Sequence, residues 1–244
     1  MVSRLSDFLK RQRNELDAWL SERGLGHTFS LTSFGVYQRA ARLIERHAHG
    51  VVLDAGSGRA PYKQTLRERG VHLVTIDVEN RSGDVTHIAD IQDMPVIGTR
   101  SVDTIVCTEV LEHVPRPWDA VSEMARVLKP GGLLILSVPH LSPLHEEPND
   151  YFRYTRFGLA SLLERGGFEL LSVDEVGGVL SFLGHGLSLV FFTTLGAVPG
   201  LRRVAWALNY LVLVRLLGAL DVASKLSKKY PCNYVALARR KEDG

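Results

Sequence analysis

Cysteine is nearly absent: the 244 residues hold two, Cys107 and Cys232, in no metal-ligand or redox spacing. A disulfide or zinc-ribbon framework is thereby excluded, and a chain of this length buries enough apolar surface to need neither. Cys107 lies inside an apolar run and reads as a small core residue. An excess of one charge is also missing, since 29 Lys and Arg face 27 Asp and Glu, for a formal net charge of +2. That balance argues against a dedicated nucleic-acid binder, so no nucleic-acid partner is expected. Internal repeats and low-complexity tracts are absent too. The opening segment, MVSRLSDFLKRQRNELDAWL, lacks the continuous apolar stretch of a secretory leader, which sets the expectation of a cytoplasmic protein.

Charge is missing locally as well. The 26 residues from Val176 to Leu201 contain no Asp, Glu, Lys or Arg, and after Arg202-Arg203 a second apolar run, VAWALNYLVLV, covers 204–214. The first stretch is long enough to reach across a bilayer, but it holds six glycines and Pro199 and is interrupted by His185. A single full span would also strand residues 233–238 away from the sheet they must join. Three readings stay open: a helical hairpin that dips into or lies on a membrane, a lid over an apolar substrate pocket, or two full spans. Charge elsewhere is uneven. Residues 51–201 carry twelve Lys and Arg against nineteen Asp and Glu, whereas 1–50 carry eight against five and 202–244 nine against three. Basic ends on an acidic body suit either solvated tails or peripheral contact, through 176–220, with an anionic surface such as the inner face of a membrane. A homodimer surface is the other use for an apolar insert.

What is present is a regular alternation of short apolar runs with helical periodicity. Leu5, Phe8, Leu16 and Leu20 predict an amphipathic helix over 4–22, and a second helix is expected at about 34–48. Strands are predicted at 51–54, 72–77, 103–108 and 133–138, with a further pair at 168–175 and 233–238; near-continuous apolar runs of this kind suit a parallel sheet covered on both faces. Between them Val121, Met124, Ala125 and Leu128 share one helical face, which stops at Lys129-Pro130-Gly131-Gly132. The expected fold is α/β, a doubly wound, mostly parallel seven-stranded sheet with N-terminal helices and an apolar helical insert before the last strand. It is read as a single domain over 1–244: helices in 1–48, a core in 49–175, the insert in 176–230 and the last strand and tail in 231–244.

The chemistry begins at Val51-Val52-Leu53-Asp54-Ala55-Gly56-Ser57-Gly58. A buried strand ends in an acidic residue and enters a glycine turn that lets a ligand approach the backbone closely. The dinucleotide spacing G-x-G-x-x-G would need a third glycine where Pro61 stands. The acid would repel a pyrophosphate, yet it suits a ligand bearing an ammonium and a sulfonium. Asp77, 23 residues on at the tip of the next strand, could accept both hydroxyls of a ribose or merely cap the following turn.

Five motifs then fall in order over about 51–140: the turn Asp54–Gly58; Asp77; Ala89-Asp90-Ile91 followed by Met94-Pro95; Thr108-Glu109-Val110-Leu111-Glu112-His113-Val114; and Leu128-Lys129-Pro130-Gly131-Gly132. In this series the chain resembles the class I S-adenosylmethionine-dependent methyltransferases of the small-molecule type. The resemblance implies that S-adenosylmethionine is the cofactor. Gly56 and Gly58 would line its methionine portion, with Asp54 near the amino group; Asp77 would hold the ribose, and Asp90 with Ile91 would border the adenine. Cys107 and Thr108 would lie beside the methionyl end. The resemblance implies a small-molecule substrate, and the uncharged 176–201 stretch beside a basic tail adds the expectation of a lipid-linked or glycan-related one at the membrane surface, with a soluble metabolite or a non-catalytic scaffold as the alternatives.

On the acceptor side, methyl transfer to a hydroxyl benefits from a base near neutral pKa. His113, just after the fourth strand, and His145, in the loop after the fifth, are the candidate catalytic residues; each could instead be structural. The loop from His145 to Thr155 resembles a segment found in a bacterial subset of these enzymes. Arg153 and Tyr154 within it are candidate substrate contacts, Arg153 through the fit of guanidinium to an anionic group. Its alternative partners are Asp150 and Glu147, which would fix the loop. No metal site is expected, because the adjacent side chains His145, Glu146 and Glu147 rarely converge on one ion.

Overall fold

The computed structural model describes residues 15, 18–20, 23–197 and 201–242. Leu5, Phe8 and Leu16 of the expected first helix lie outside the described residues. The chain divides into two compact units, one formed by 1–37 with 176–232 and the other by 38–175 with 233–244. The N-terminal segment therefore clusters with the apolar insert, and the remainder forms the sheet.

The sheet unit contains β1 (Val51–Ala55), β2 (His72–Asp77), β3 (His87–Ile88), β4 (Val102–Thr108), β5 (Leu128–Pro139), β6 (Phe168–Val176) and β7 (Asn233–Arg240). Their order is β3-β2-β1-β4-β5-β7-β6. From β3 to β5 every pairing is parallel, with Val51 to Ala55 set against His72 to Ile76, and Thr104 to Thr108 against Leu133 to Ser137. β7 runs antiparallel to β5, Pro139 facing Asn233. This is the doubly wound, mostly parallel sheet that the apolar runs predict. β3, two residues long, is the strand with no apolar run to announce it.

Helices cover the sheet. α1 (Leu31–His47) starts where the Ser30 hydroxyl accepts from the Ser33 N–H at 3.2 Å. The short α2 (Lys63–Glu68) follows β1, and α3 (Pro117–Val127) begins with proline at a position whose N–H has no partner to lose. α3 turns Val121 and Met124 fully inward beside Ile105, Leu134 and Leu136. β5 starts at Leu128, earlier than the expected 133, because its register against β4 shifts between Val102 and Thr104 and absorbs the Lys-Pro-Gly-Gly segment as an irregularity inside the strand. α4 (Arg156–Arg165) is capped by Thr155, whose hydroxyl accepts from Gly158 N–H at 3.0 Å.

In the helical unit the uncharged stretch 176–201 is not one long helix, which corrects the reading that it could itself reach across a bilayer. Gly177 and Gly178 stay outside the helix, leaving α5 (Val179–Thr194) with 16 residues, fewer than the roughly 20 a bilayer requires. The longer apolar helix lies further on, over Arg202–Ser224: α6 (Arg202–Leu208), a π-helical turn (Asn209–Leu216) and α7 (Leu217–Ser224) run together. Those 23 residues are long and apolar enough to cross a membrane by length and composition. Asp221, the one acid of that helix, is buried because it caps α5: its carboxylate accepts from Gly178 N–H at 2.6 Å, from Leu180 N–H at 3.2 Å and from the Ser181 hydroxyl. Leu20, Phe29 and Phe192 form this unit's own buried cluster. Much of the rest is apolar and exposed, including Leu183, Leu187, Val190, Leu211, Leu216 and Val222.

Candidate active site

In a parallel sheet the carboxyl ends of the strands share one edge, and ligands bind there. The turn after β1 is pinned to β2, because Gly56 and Ser57 both donate their N–H to the Ile76 carbonyl, at 2.9 and 3.0 Å. Gly56 has φ of +74° and a side chain there would meet Val110 methyls at 2.5 and 2.7 Å, so only glycine fits. Gly58, at φ +54°, has open space where a side chain would stand. Its N–H donates to Asp77 Oδ2 at 2.7 Å, while Asp77 Oδ1 accepts from Glu79 N–H at 3.0 Å. The turn and the second strand tip are thus one assembly.

Asp54 is buried beneath the turn, and its Oδ2 has no hydrogen-bond partner. Burial, then the neighbouring Asp77 carboxylate, pushes its pKa up to about 7. An acid so placed wants a cation. The site therefore fits a ligand whose ammonium reaches Asp54 and whose vicinal hydroxyls reach Asp77, and each Asp77 oxygen keeps a lone pair for a second donor. Ile91 is buried next along the edge, and Asp90 stands exposed with its carboxylate held by Gln92 at 2.8 Å through both oxygens. Cys107 is the core residue that its apolar run suggested: its side chain belongs to the hydrophobic cluster, burial holds its thiol well above the usual range, and only its backbone is left to border a ligand. Thr108, half-buried at the strand tip, is the side chain available there.

The acceptor side is built from the turn after β4 and the loop after β5. Tyr151 and Phe152 donate their N–H to the Glu112 carbonyl at 2.8 and 3.2 Å, and Tyr154 Oη donates to the Leu111 carbonyl at 3.0 Å. Tyr154 is thus a buried strut and not a contact open to substrate. All five N–H groups of Arg153 are engaged: Nε with Ser142 O, one terminal nitrogen with Asp150 Oδ1 and Phe152 O, the other with Asp150 Oδ2 and Pro143 O, at 2.6–3.1 Å. No donor is left for an anionic substrate; Arg153 is the loop's clamp, as its alternative reading had it. That fork holds the Asp150 carboxyl down to about 2.

The Tyr151, Phe152 and Tyr154 bonds to the Leu111–Glu112 backbone bring the Arg153-clamped loop against the turn, so that His113 and His145 meet with ring centroids 4.8 Å apart and edge to face. Between them stands Glu112, fully buried, with neither carboxylate oxygen hydrogen-bonded. The ring Nε2 atoms lie 3.7 Å (His113) and 4.0 Å (His145) from its Oε1. Burial lowers the His145 pKa from the ordinary imidazole value. Glu109, at φ +53°, keeps its carboxylate on Ser137 Oγ at 2.7 Å and Asn233 Nδ2 at 2.8 Å. Burial pushes Glu109 up to about 7, and burial with the adjacent Glu109 raises Glu112 well above the ordinary carboxylate range. Sequence reasoning named both histidines, and Asp150 as a partner for Arg153, but missed Glu112 and Glu109 as members of the site. The available signal was two acids and a histidine, Glu109, Glu112 and His113, in a strand-end turn whose other residues, Val110, Leu111 and Val114, are apolar.

A buried glycine turn, an acid at the next strand tip and a substrate edge flanked by loops define a doubly wound nucleoside-binding α/β protein. The comparisons narrow that class. The sequence profile of the family described as "Methyltransferase domain" matches residues 53–136. A ubiquinone biosynthesis O-methyltransferase of Hahella chejuensis is 30% identical over 105 residues, 38% of this chain and 44% of that protein. A Mycolicibacterium smegmatis protein named a "probable S-adenosylmethionine-dependent methyltransferase" is 31% identical over 172 residues, 63% of this chain and 62% of its own length. The chain thus spans less than half the length of the first of these relatives. Among solved structures, a Burkholderia thailandensis 1,6-didemethyltoxoflavin-N1-methyltransferase aligns with a TM-score of 0.58 at 17% identity, covering 98% of this chain and 87% of that one. The cyclase SpnF aligns with a TM-score of 0.60 at 18% identity, over 85% and 81%. Over the residues that the family profile matches, the sheet unit resembles the class I S-adenosylmethionine-dependent methyltransferases, and the solved structures share its fold.

Proposed function

We propose that the protein transfers a methyl group from S-adenosylmethionine to a small, apolar or lipid-linked acceptor at a membrane surface. The observation that carries the cofactor assignment is the unpartnered Asp54 carboxylate under the Gly56–Gly58 turn, beside an Asp77 already oriented by Gly58 N–H. When bound, the cofactor supplies a methyl on a positively charged sulfur that leaves as a neutral thioether. The chain's contribution is then alignment and charge placement. In this reading Asp54 and the glycine turn hold the methionine portion, Asp77 the ribose, and Asp90 with Ile91 the adenine. Activation of the acceptor falls to Glu112, His113 and His145. A relative's naming as an O-methyltransferase supports an oxygen acceptor.

The membrane part rests on the helical unit alone. Its exposed residues include many leucines and valines, and Arg203, Arg215, Lys225, Lys228 and Lys229 are exposed among or after them. Incubation with isotopically labelled methyl donor and a cell-envelope extract tests both parts. Label in the lipid-extractable fraction is the expected result. Label confined to water-soluble products would replace the acceptor class with a soluble metabolite and make the apolar insert a lid or a homodimer surface. Cofactor binding without any transfer would make the protein a non-catalytic scaffold of the same fold, an outcome that fold alone does not forbid.

A further inference from the structure

Glu112, His113 and His145 offer one ligand atom each, and all three atoms lie within 4.8 Å of one another. Each imidazole is oriented from behind. His113 Nδ1 lies 2.6 Å from the Asn149 carbonyl, and His145 Nδ1 lies 3.2 Å from the Pro143 carbonyl and 3.5 Å from Asp150 Oδ2. Those acceptors place the proton on Nδ1 of both rings and leave the Nε2 lone pairs facing Glu112. The Arg153 nitrogen 3.5 Å from His145 Nδ1 does not reverse this, since its N–H groups are committed to Asp150 and Pro143. Outer carbonyls and carboxylates that fix ligand histidines in this way are a regular feature of metal centres.

At 3.7 and 4.0 Å the imidazole–carboxylate gaps are too long for hydrogen bonds. They are close to the separation of roughly 3.4 Å between donors that share a tetrahedral ion with bonds of about 2.1 Å. A fully buried carboxylate with neither oxygen hydrogen-bonded is an anomaly that a bound cation would resolve. We propose that Glu112, His113 and His145 form a site for a divalent transition-metal ion of the zinc class. Two imidazoles and a carboxylate are the donor set of catalytic zinc, which keeps a further position for an oxygen ligand. The chemical class that fits that position is a hydroxyl or phenol oxygen. This last step rests on the proposed methyl transfer to oxygen, whereas the metal site itself does not.

The test uses the full chain after treatment with chelator and dialysis. Zinc chloride is titrated against a colorimetric chelator, and metal content is measured after gel filtration. S-adenosylmethionine affinity is measured by calorimetry on the same samples. One zinc per chain is expected, weakened at least roughly 100-fold by H145A and by E112Q, with S-adenosylmethionine affinity within about threefold of the original as the sign of an intact fold. Should E112Q fail to fold, H145A, in a loop, decides. Absence of zinc binding by the original chain, or binding that H145A leaves unchanged, overturns the site. Zinc binding without S-adenosylmethionine affinity would overturn the methyltransferase reading instead and leave the metal site standing.

Discussion

The two halves of the carboxyl edge are built to opposite plans. On the β1–β2 side the ligand is met by backbone: a glycine turn held to Ile76 and steered by one carboxylate, Asp77. On the β4–β5 side it is met by side chains from two loops, locked by Arg153 and Asp150. A backbone cradle suits a cofactor whose shape is constant, whereas a clamp of side chains can be exchanged to suit each acceptor. The halves should therefore fail separately.

The largest effect is expected from R153A. Asp150 has only 2% of its side chain exposed, and stripping one partner from such a pair leaves a buried charge uncompensated, at a cost of about 3 kcal/mol. Chemical denaturation should read that loss, and transfer activity should fall with it while S-adenosylmethionine affinity holds; a stable, active variant would dissolve the distinction between clamp and cradle. Because Arg153 depresses the Asp150 pKa to about 2, below its unfolded value near 4, the pair's contribution is complete above that unfolded value. It is lost as pH falls from 4 toward 2, and R153A should flatten that part of the acid-unfolding curve.

D77A strikes the other half. Loss of hydrogen bonds to a charged group costs about 1.5–3 kcal/mol, so the S-adenosylmethionine dissociation constant should rise roughly 10- to 100-fold in calorimetry, with zinc affinity unmoved. A smaller effect sharpens the picture further. Asp54 must be ionised to hold an ammonium, and its folded pKa is about 7. Affinity should then climb about fivefold from pH 6 to pH 7 and about twofold more by pH 8, and D54N should abolish the slope. The sign on stability is the reverse: a carboxylate raised above its unfolded value favours the fold while protonated and opposes it as pH rises from about 4 to 7.

The same contrast explains what could be read in advance. Strands β1, β2, β4, β5 and β7 were legible because burial leaves runs of apolar residues, and the edge strand β6 from Phe168, Leu170, Leu171 and Val173 in spite of its partial exposure; β3, with His87 and Ile88, carries no such run. Asp54, Gly56, Gly58 and Asp77 were legible because a tight turn and a strand tip are local in sequence. Glu112, His113 and His145 were not legible as a set, since His145 lies 32 positions after His113 and the loop returns only through long-range bonds from Tyr151, Phe152 and Tyr154 to the Leu111–Glu112 backbone. The pairing of Arg153 with Asp150 was among the readings the sequence offered; the use of all five of its N–H groups was not. The apolar insert showed its composition, yet the location of its long helix at Arg202–Ser224 depended on where Gly177, Gly178 and the Asp221 cap begin α5.

One feature of the sheet bears on how the chain is made. β7 lies between β5 and β6, so β6 has no neighbour on its inner side until residues 233–240 emerge from the ribosome. Nascent chains carry a bare strand edge through the whole synthesis of the apolar helices, the interval in which an unpaired edge and uncovered leucines are most open to misassociation. Shortening the chain before Asn233 would keep the glycine turn and its parallel neighbours while detaching β6, and the sheet would then end at β5.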